Sequence, residues 1–350
     1  MVVEPESCCW LSGRLVAHRD GKTWAEELGH YPALEYFVSD AGNALAKGVQ
    51  LVRAQRPHLR HGLDVFHTVS EGNVALGRLY RKAAAALRKV DQTQARLDYC
   101  DRHGQSRAGR AASIRNYWRT AERLLDEAAA AEEAWQACRS TLHWFTPEGR
   151  LNNRQQAEAA LNKALQGLHG STWDKTRRLL RRPETFSFLD RAEEQLQRLG
   201  LPESTLAALV RLEGLRRQPE LLQGDAPAAA AARGEMLVRA VQLAKAEPDW
   251  QMKAVQVRSV LRRAWRASSL VEGINSVARM QQARHRRVTQ GLLDLKRFYW
   301  NMRRFRTGKR KGHTPYEILG LKLPALGWWE LLKLTPEQLR QELSAQRDAA

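Results

Sequence analysis

The sequence predicts an α+β chain that turns all-helical: a small mixed sheet with covering helices, then a long helical stretch, then a helical and strongly basic C-terminal segment. Three observations predict it. Within the first seventy residues, short apolar runs alternate with amphipathic stretches, the order expected when helices cover a sheet. After Ser70 the chain becomes rich in Ala, Leu, Arg, Glu and Gln, and apolar residues such as Leu124, Ala128, Ala131, Trp135 and Cys138 recur at helical spacing. Between Arg279 and Gly312, twelve Lys and Arg stand against the single acid Asp294, so a net charge of +11 out of the chain's +19 falls in under a tenth of its length.

Element by element, Met1 to Pro5 reads as the tail of a strand and Cys8 to Ala17 as a second. Asp20-Gly21 turns into a short helix through Trp24, Ala25 and Leu28. Leu34 to Val38 is an apolar strand that ends at Ser39-Asp40, and Asn43 to Gln55 is a helix with Leu45, Val49 and Val52 on one face. Leu63-Asp64-Val65-Phe66-His67 reads as a further strand. The expected divisions are residues 1–70, a helical region 71–265 with a linker near 219–234, a segment 266–312, and a tail 313–350. Gln223-Gly224-Asp225-Ala226-Pro227 marks the linker, and Pro147-Glu148-Gly149 and Gly170-Ser171 are breaks within the helical region. Trp118, Trp135, Trp144 and Trp173, spaced on helical faces, are expected in the core.

Composition narrows the function classes. No apolar run approaches the length needed to cross a bilayer, and the N-terminus lacks a basic stretch followed by an apolar one, which predicts a cytoplasmic protein with no membrane partner. Cys8 and Cys9 are adjacent while Cys100 and Cys138 stand alone, so neither a zinc CxxC pair nor a disulfide framework is indicated. A pI near 10.3, with the excess charge focused beside Phe298, Tyr299, Trp300 and Phe305, points to nucleic acid. The candidate phosphate-binding residues form three groups. Arg279, Arg284, Arg286 and Arg287 open the run, and Lys296 and Arg297 lie in its middle. Arg303, Arg304, Arg306, Lys309, Arg310 and Lys311 close it.

Two carboxylates are candidates for metal-dependent phosphoryl transfer, which needs carboxylates converging on one or two divalent ions. Asp40 ends a buried strand, and Glu272 lies on a polar helical stripe with Asn275 and Arg279, opposite Leu270, Ile274 and Val277. Glu272 also fits a capping box with Ser269, and Asp40 fits an ordinary turn with Ala41-Gly42-Asn43. Asp64 and His67 are candidate accessory ligands.

Taken in order, Val3-Glu4-Pro5-Glu6-Ser7, Tyr36 to Gly42, Leu63 to His67 and Ser268-Ser269-Leu270-Val271-Glu272-Gly273-Ile274-Asn275-Ser276 resemble bacterial insertion-sequence transposases with an RNase H-like, DDE-type catalytic core. Gln290 to Leu295, Tyr299-Trp300-Asn301 and Gly308-Lys309-Arg310 resemble the tail that follows the catalytic glutamate in that family. The resemblance implies a partial RNase H-like mixed sheet interrupted by a large helical insertion, with Asp40 as the second catalytic aspartate and Glu272 as the final glutamate. It implies two Mg²⁺ (or Mn²⁺) ions, double-stranded DNA as partner (transposon ends and target), and a homodimer. Only 39 residues precede Asp40, and the strand that would carry the first aspartate is not among them; the expectation is an N-terminally truncated transposase, inactive or restricted to DNA binding. The competing expectation is a non-catalytic helical nucleic-acid-binding protein.

Overall fold

The computed structural model describes residues 1–107, 109–146, 148–221, 226–263, 269–284, 287–321, 323–324, 326–335 and 337–342, with residues 111, 218–221, 269 and 280–284 described by backbone alone. Along the chain run β1 (Val2–Glu4), β2 (Cys9–Ser12), α1 (Gly21–Gly29), β3 (Tyr36–Ser39), α2 (Asn43–Arg53), β4 (Arg60–Leu63) and α3 (Val65–Arg102). There follow α4 (Arg110–Thr141), α5 (Arg154–Leu165), α6 (Asp174–Leu180), α7 (Ser187–Gln197), α8 (Glu203–Leu221), α9 (Ala226–Ala246) and α10 (Trp250–Arg263). The last elements are α11 (Ser269–Arg284), α12 (Gln290–Met302), α13 (Pro315–Ile318) and α14 (Trp328–Lys333). The chain divides into two compact units, one of Met1–Leu34, Gly42–His58 and Ala267–Ala350, the other of Glu35–Ala41 and Leu59–Arg266.

In the first unit β1 and β2 form an antiparallel hairpin. Asp20 starts α1 by accepting a hydrogen bond from the Thr23 amide at 2.9 Å, as the Asp20-Gly21 signal predicts. Helix α2 packs beside α1, and Arg56 fixes the end of α1 by donating to the Leu28 and Tyr31 carbonyls at 2.7 Å each. A small core of Trp10, Ile274 and Leu293, with Met1, Val3 and Trp300 against it, joins the hairpin to α11 and α12. Ile274 is thus buried on α11, opposite the polar stripe, as its helical spacing predicts.

The second unit holds the parallel pair β3–β4, registered from Tyr36 opposite Arg60 to Ser39 opposite Leu63, and all the helices from α3 to α10. The long helices α3 and α4 pack against each other, and a glycine on one makes room for a large ring on the other. At Gly72 a Cβ would lie 2.1 Å from the Trp135 ring, so only glycine admits the indole, whose Nε1 donates to Asn73 Oδ1 at 2.9 Å. Trp135, Trp144 and Trp173 are core residues, as expected, whereas Trp118 lies exposed on α4. All four cysteines are free and buried, and burial pushes the thiols of Cys9 and Cys138 up to about 11 and about 12.

Two sequence expectations about the strands are corrected. The strands form two separate two-stranded sheets instead of one mixed sheet. The strand expected at Leu63–His67 is Arg60–Leu63, and Asp64 is the N-cap of α3, its Oδ1 accepting from the Phe66 amide at 2.8 Å. Leu63, Val65 and Phe66 flank Asp64 closely, and an aspartate can either end a strand or cap a helix, which is why the stretch reads as one strand. Around the expected linker, α8 extends to Leu221 and α9 begins at Ala226, so its flanks are helical; residues 222–225 lie outside the described residues.

Helices α8 and α10 share one buried ionic centre. Glu213 is 4% exposed and accepts from Arg216 (2.6 and 2.7 Å), Arg217 (2.8 Å) and Arg258 (3.2 Å). Burial alone would raise its carboxyl, but the Arg216 hydrogen bonds and the charges of Arg217 and Arg216 outweigh this and hold it at about 2. Because the folded carboxyl titrates below the unfolded one, the stabilisation is complete above about pH 4.5 and is lost as pH falls towards 2. Glu213→Gln is expected to lower stability at neutral pH by roughly 3 kcal/mol, since three guanidinium groups lose their anion. Denaturant melts of both proteins from pH 7 to pH 3 check this: the gap between them should narrow on the acid side.

Candidate nucleic-acid interface

The candidate carboxylates are distributed as follows. Asp40 directly follows β3, exposed, in the second unit. Glu272 is in the first turn of α11, in the first unit, where a carboxylate suits the positive end of the helix dipole. Its carboxylate lies 3.8 Å from Arg279, an exposed pair of little energetic weight. The capping serine expected for it falls outside the residues described with side chains. Asp64 is fully buried and engaged at both oxygens, Oδ2 lying 2.7 Å from His67 Nδ1, so both expected accessory ligands serve the start of α3. Glu4 closes the hairpin turn, accepting from the amides of Glu6 (2.9 Å) and Ser7 (2.7 Å) and from the Ser7 hydroxyl. Among the described residues no three of His, Cys, Asp and Glu group as metal ligands.

The basic segment is built onto the hairpin by backbone recognition. Asn301, 1% exposed, accepts from the Trp10 amide through Oδ1 at 2.8 Å and donates to the Trp10 carbonyl through Nδ2 at 3.0 Å. Its side-chain amide therefore does for β2 what the backbone of a neighbouring strand would do. One residue earlier, Trp300 Nε1 donates to the Cys8 carbonyl at 3.0 Å. Cys8 has φ 59°, so this bond helps hold a left-handed turn in a residue that is not glycine. Arg297 reaches the Leu11 carbonyl (3.0 Å), and Arg310 reaches those of Glu6 (2.7 Å) and Pro5 (2.8 Å).

Residues 303–313 form a closed loop after α12. Phe305 pairs its amide with the His313 carbonyl and its carbonyl with the Gly312 amide, each at 2.9 Å, and Gly308 and Gly312 supply positive φ at the bends. Thr314 and Glu317 form a capping box at α13, and Arg304 grips the Glu317 carboxylate with both terminal nitrogens at 3.0 and 2.6 Å. Glu317 is held below the usual carboxylate range chiefly by the Thr314 amide, with Arg304 adding to it.

The candidate cations thus separate into two kinds. Arg297, Arg304 and Arg310 hold the loop and hairpin together. Arg303, Arg306, Lys309 and Lys311 are exposed on the loop, Arg287 is exposed before α12, Arg279 is exposed on α11, and Lys296 is half-buried on α12. The side chain of Arg284 and all of Arg286 lie outside the described residues. Of the interleaved aromatics, Trp300 faces the core and Phe305 lies under Arg310 at 5.9 Å, while Tyr299 is half exposed. Tyr299 meets Trp328 of α14 at 6.2 Å. The charge run alone does not reveal Trp328 and Trp329; the available signal is two adjacent tryptophans just after Gly327, in a stretch too short to bury both.

Compared with known proteins, the chain matches no family model, and no curated protein or solved structure is significantly similar to it.

The Asn301 contact generates a direct test. Asn301→Ala leaves a buried amide and a buried carbonyl on Trp10 without partners, and such groups cost about 1–3 kcal/mol each. A loss of about 2–4 kcal/mol in denaturant unfolding is expected, with faster hydrogen exchange at the Trp10 amide. Tyr299→Ala, at an exposed ring of the same helix, is expected to change stability by less than about 1 kcal/mol.

Proposed function

We propose that this chain binds duplex DNA through the basic surface of its first unit, within a transposase-like frame. The observation that carries this reading is the sorting of the cations. Arg310 is fixed by the hairpin carbonyls of Pro5 and Glu6, and Arg297 is shared between the Leu11 carbonyl and Asp294, while Arg303, Arg306 and Lys311 project from a loop whose ends meet through backbone hydrogen bonds. A positive loop held in one shape suits phosphate contacts along a duplex, which position a protein without reading sequence.

The order of elements supports the transposase-like frame. An antiparallel hairpin, a helix, a strand ending just before Asp40, a helix and a parallel strand follow one another as the resemblance implies for the part after its first strand. Strand β3 pairs in parallel with β4 and, among the described residues, with no other strand. The metal part of that frame fits less well. Mg²⁺-dependent transfer by two ions requires converging carboxylates, and no group of three candidate ligands forms among the described residues. The proposal is therefore restricted to binding, and no cleavage step is assigned to this chain.

If about six cations contact phosphates, the slope of log affinity against log salt should be near −5 for duplex DNA, at roughly 0.9 per contact. Replacing Arg303, Arg306 and Lys311 together by Ala should flatten that slope by about 2–3 and weaken binding to all sequences alike. Arg304 is kept in this test because it holds Glu317. A filter-binding titration of wild type and triple variant, with thermal melts to establish equal folding, decides the matter; an unchanged slope removes the loop from the interface.

A further inference from the structure

Beside the basic loop the first unit presents three large aromatic rings. Tyr299 is 48%, Trp328 44% and Trp329 58% exposed. They are contiguous: Trp328 stands edge-to-face to Tyr299 (6.2 Å, 85°) and to Trp329 (5.6 Å, 73°). An edge-to-face contact covers at most one side of one ring, so with about half of each side chain open to solvent, ring faces remain accessible. Exposed aromatic clusters of this size mark interaction surfaces more often than chance placement.

The charges around the rings define the partner. Lys296 and Arg303 lie three residues before and four residues after Tyr299, and Lys333 Nζ sits 6.0 Å over the Trp329 ring. Glu330, next to Trp329 in sequence, is paired with Lys333 at 3.0 and 3.1 Å. A partner needs negative charge together with flat apolar faces. Duplex DNA supplies the charge but stacks its base faces on one another, whereas an unpaired strand supplies both.

We propose that Tyr299, Trp328 and Trp329 form a stacking site for unpaired bases, placed so that a single-stranded segment continuing from a duplex on the basic loop lies across α12 and α14. This inference rests on the duplex-binding reading above, and the test separates the two. Affinity is measured by fluorescence anisotropy for a blunt duplex, for the same duplex with a tail of about six thymidines, and for the duplex with a tail of equal length made of abasic sites.

Wild type is expected to bind the thymidine-tailed duplex on the order of tenfold more tightly than the blunt one, while the abasic tail, which has phosphates but no bases, adds little. Trp329→Ala should erase the preference for the thymidine tail and leave blunt-duplex affinity and its salt slope unchanged, and Trp329→Phe, which retains a ring, should restore most of the preference. Equal binding of blunt and tailed duplexes overturns the stacking site while the duplex-binding reading stands. A gain as large for the abasic tail as for the thymidine tail overturns it in favour of charge alone. Binding to none of the three overturns both readings. If anionic phospholipid vesicles shift the tryptophan emission, the shift is lost in Trp329→Ala, and the thymidine tail gives no gain, the patch is a lipid surface and the proposal fails.

Discussion

The first unit depends on a side chain replacing a strand. Asn301 meets both polar groups of the Trp10 backbone from 291 residues away in sequence, and Trp300, Arg297 and Arg310 add contacts to carbonyls of the same hairpin. A two-stranded hairpin of three and four residues is barely stable alone, so the C-terminal segment is part of what makes it a structure. One consequence is topological. The chain must return to its beginning after the whole of the second unit has been built, which makes the helical region an excursion from the first unit instead of a neighbour appended to it.

That second unit sustains itself. Its core runs through α3, α4, α5 and the segments up to α10, and includes Trp135, Trp173, Phe186 and Phe188, all nearly without exposure. Its ionic centre at Glu213 binds α8 to α10 through Arg258, from a position where an unpaired carboxylate would be costly.

Much of this was legible in the sequence, and what was not has identifiable reasons. Asp20 ahead of Gly21, the strand ending before Asp40, and α2 from Asn43 are signals carried by neighbouring residues. The 60–67 stretch misleads because Asp64 can end a strand or start a helix, and the choice falls to α3, whose Thr68, Gly72 and Ala75 continue the buried face at helical spacing. The run of charge is visible in composition alone. Which arginines fold the loop and which face solvent is not, because that depends on the carbonyls of Pro5, Glu6 and Leu11, nearly three hundred residues away. Trp118 differs from Trp135 only in which side of α4 it occupies relative to α3, and helical spacing without the partner helix leaves that side undetermined.

The two roles of the arginines are connected. If Arg310 were fixed by a carboxylate, its charge would be largely cancelled where it sits; fixed by the Pro5 and Glu6 carbonyls, it is held in place and remains a full positive charge on the surface. Arg297 divides itself between the Leu11 carbonyl and Asp294 at 3.3 Å, and Arg304 faces Glu317, so compensation is partial and local. Carbonyl anchoring thus achieves order without neutrality. Self-repulsion within residues 303–311 is offset in part by the Arg304–Glu317 pair, and the Phe305 bonds that bring the loop's ends together are backbone hydrogen bonds, indifferent to the side-chain charges. A segment folded by acid–base pairing would present a neutral face to DNA. One folded by amides and carbonyls retains the field that the proposed duplex contact requires, and the open rings of Tyr299, Trp328 and Trp329 lie within that field.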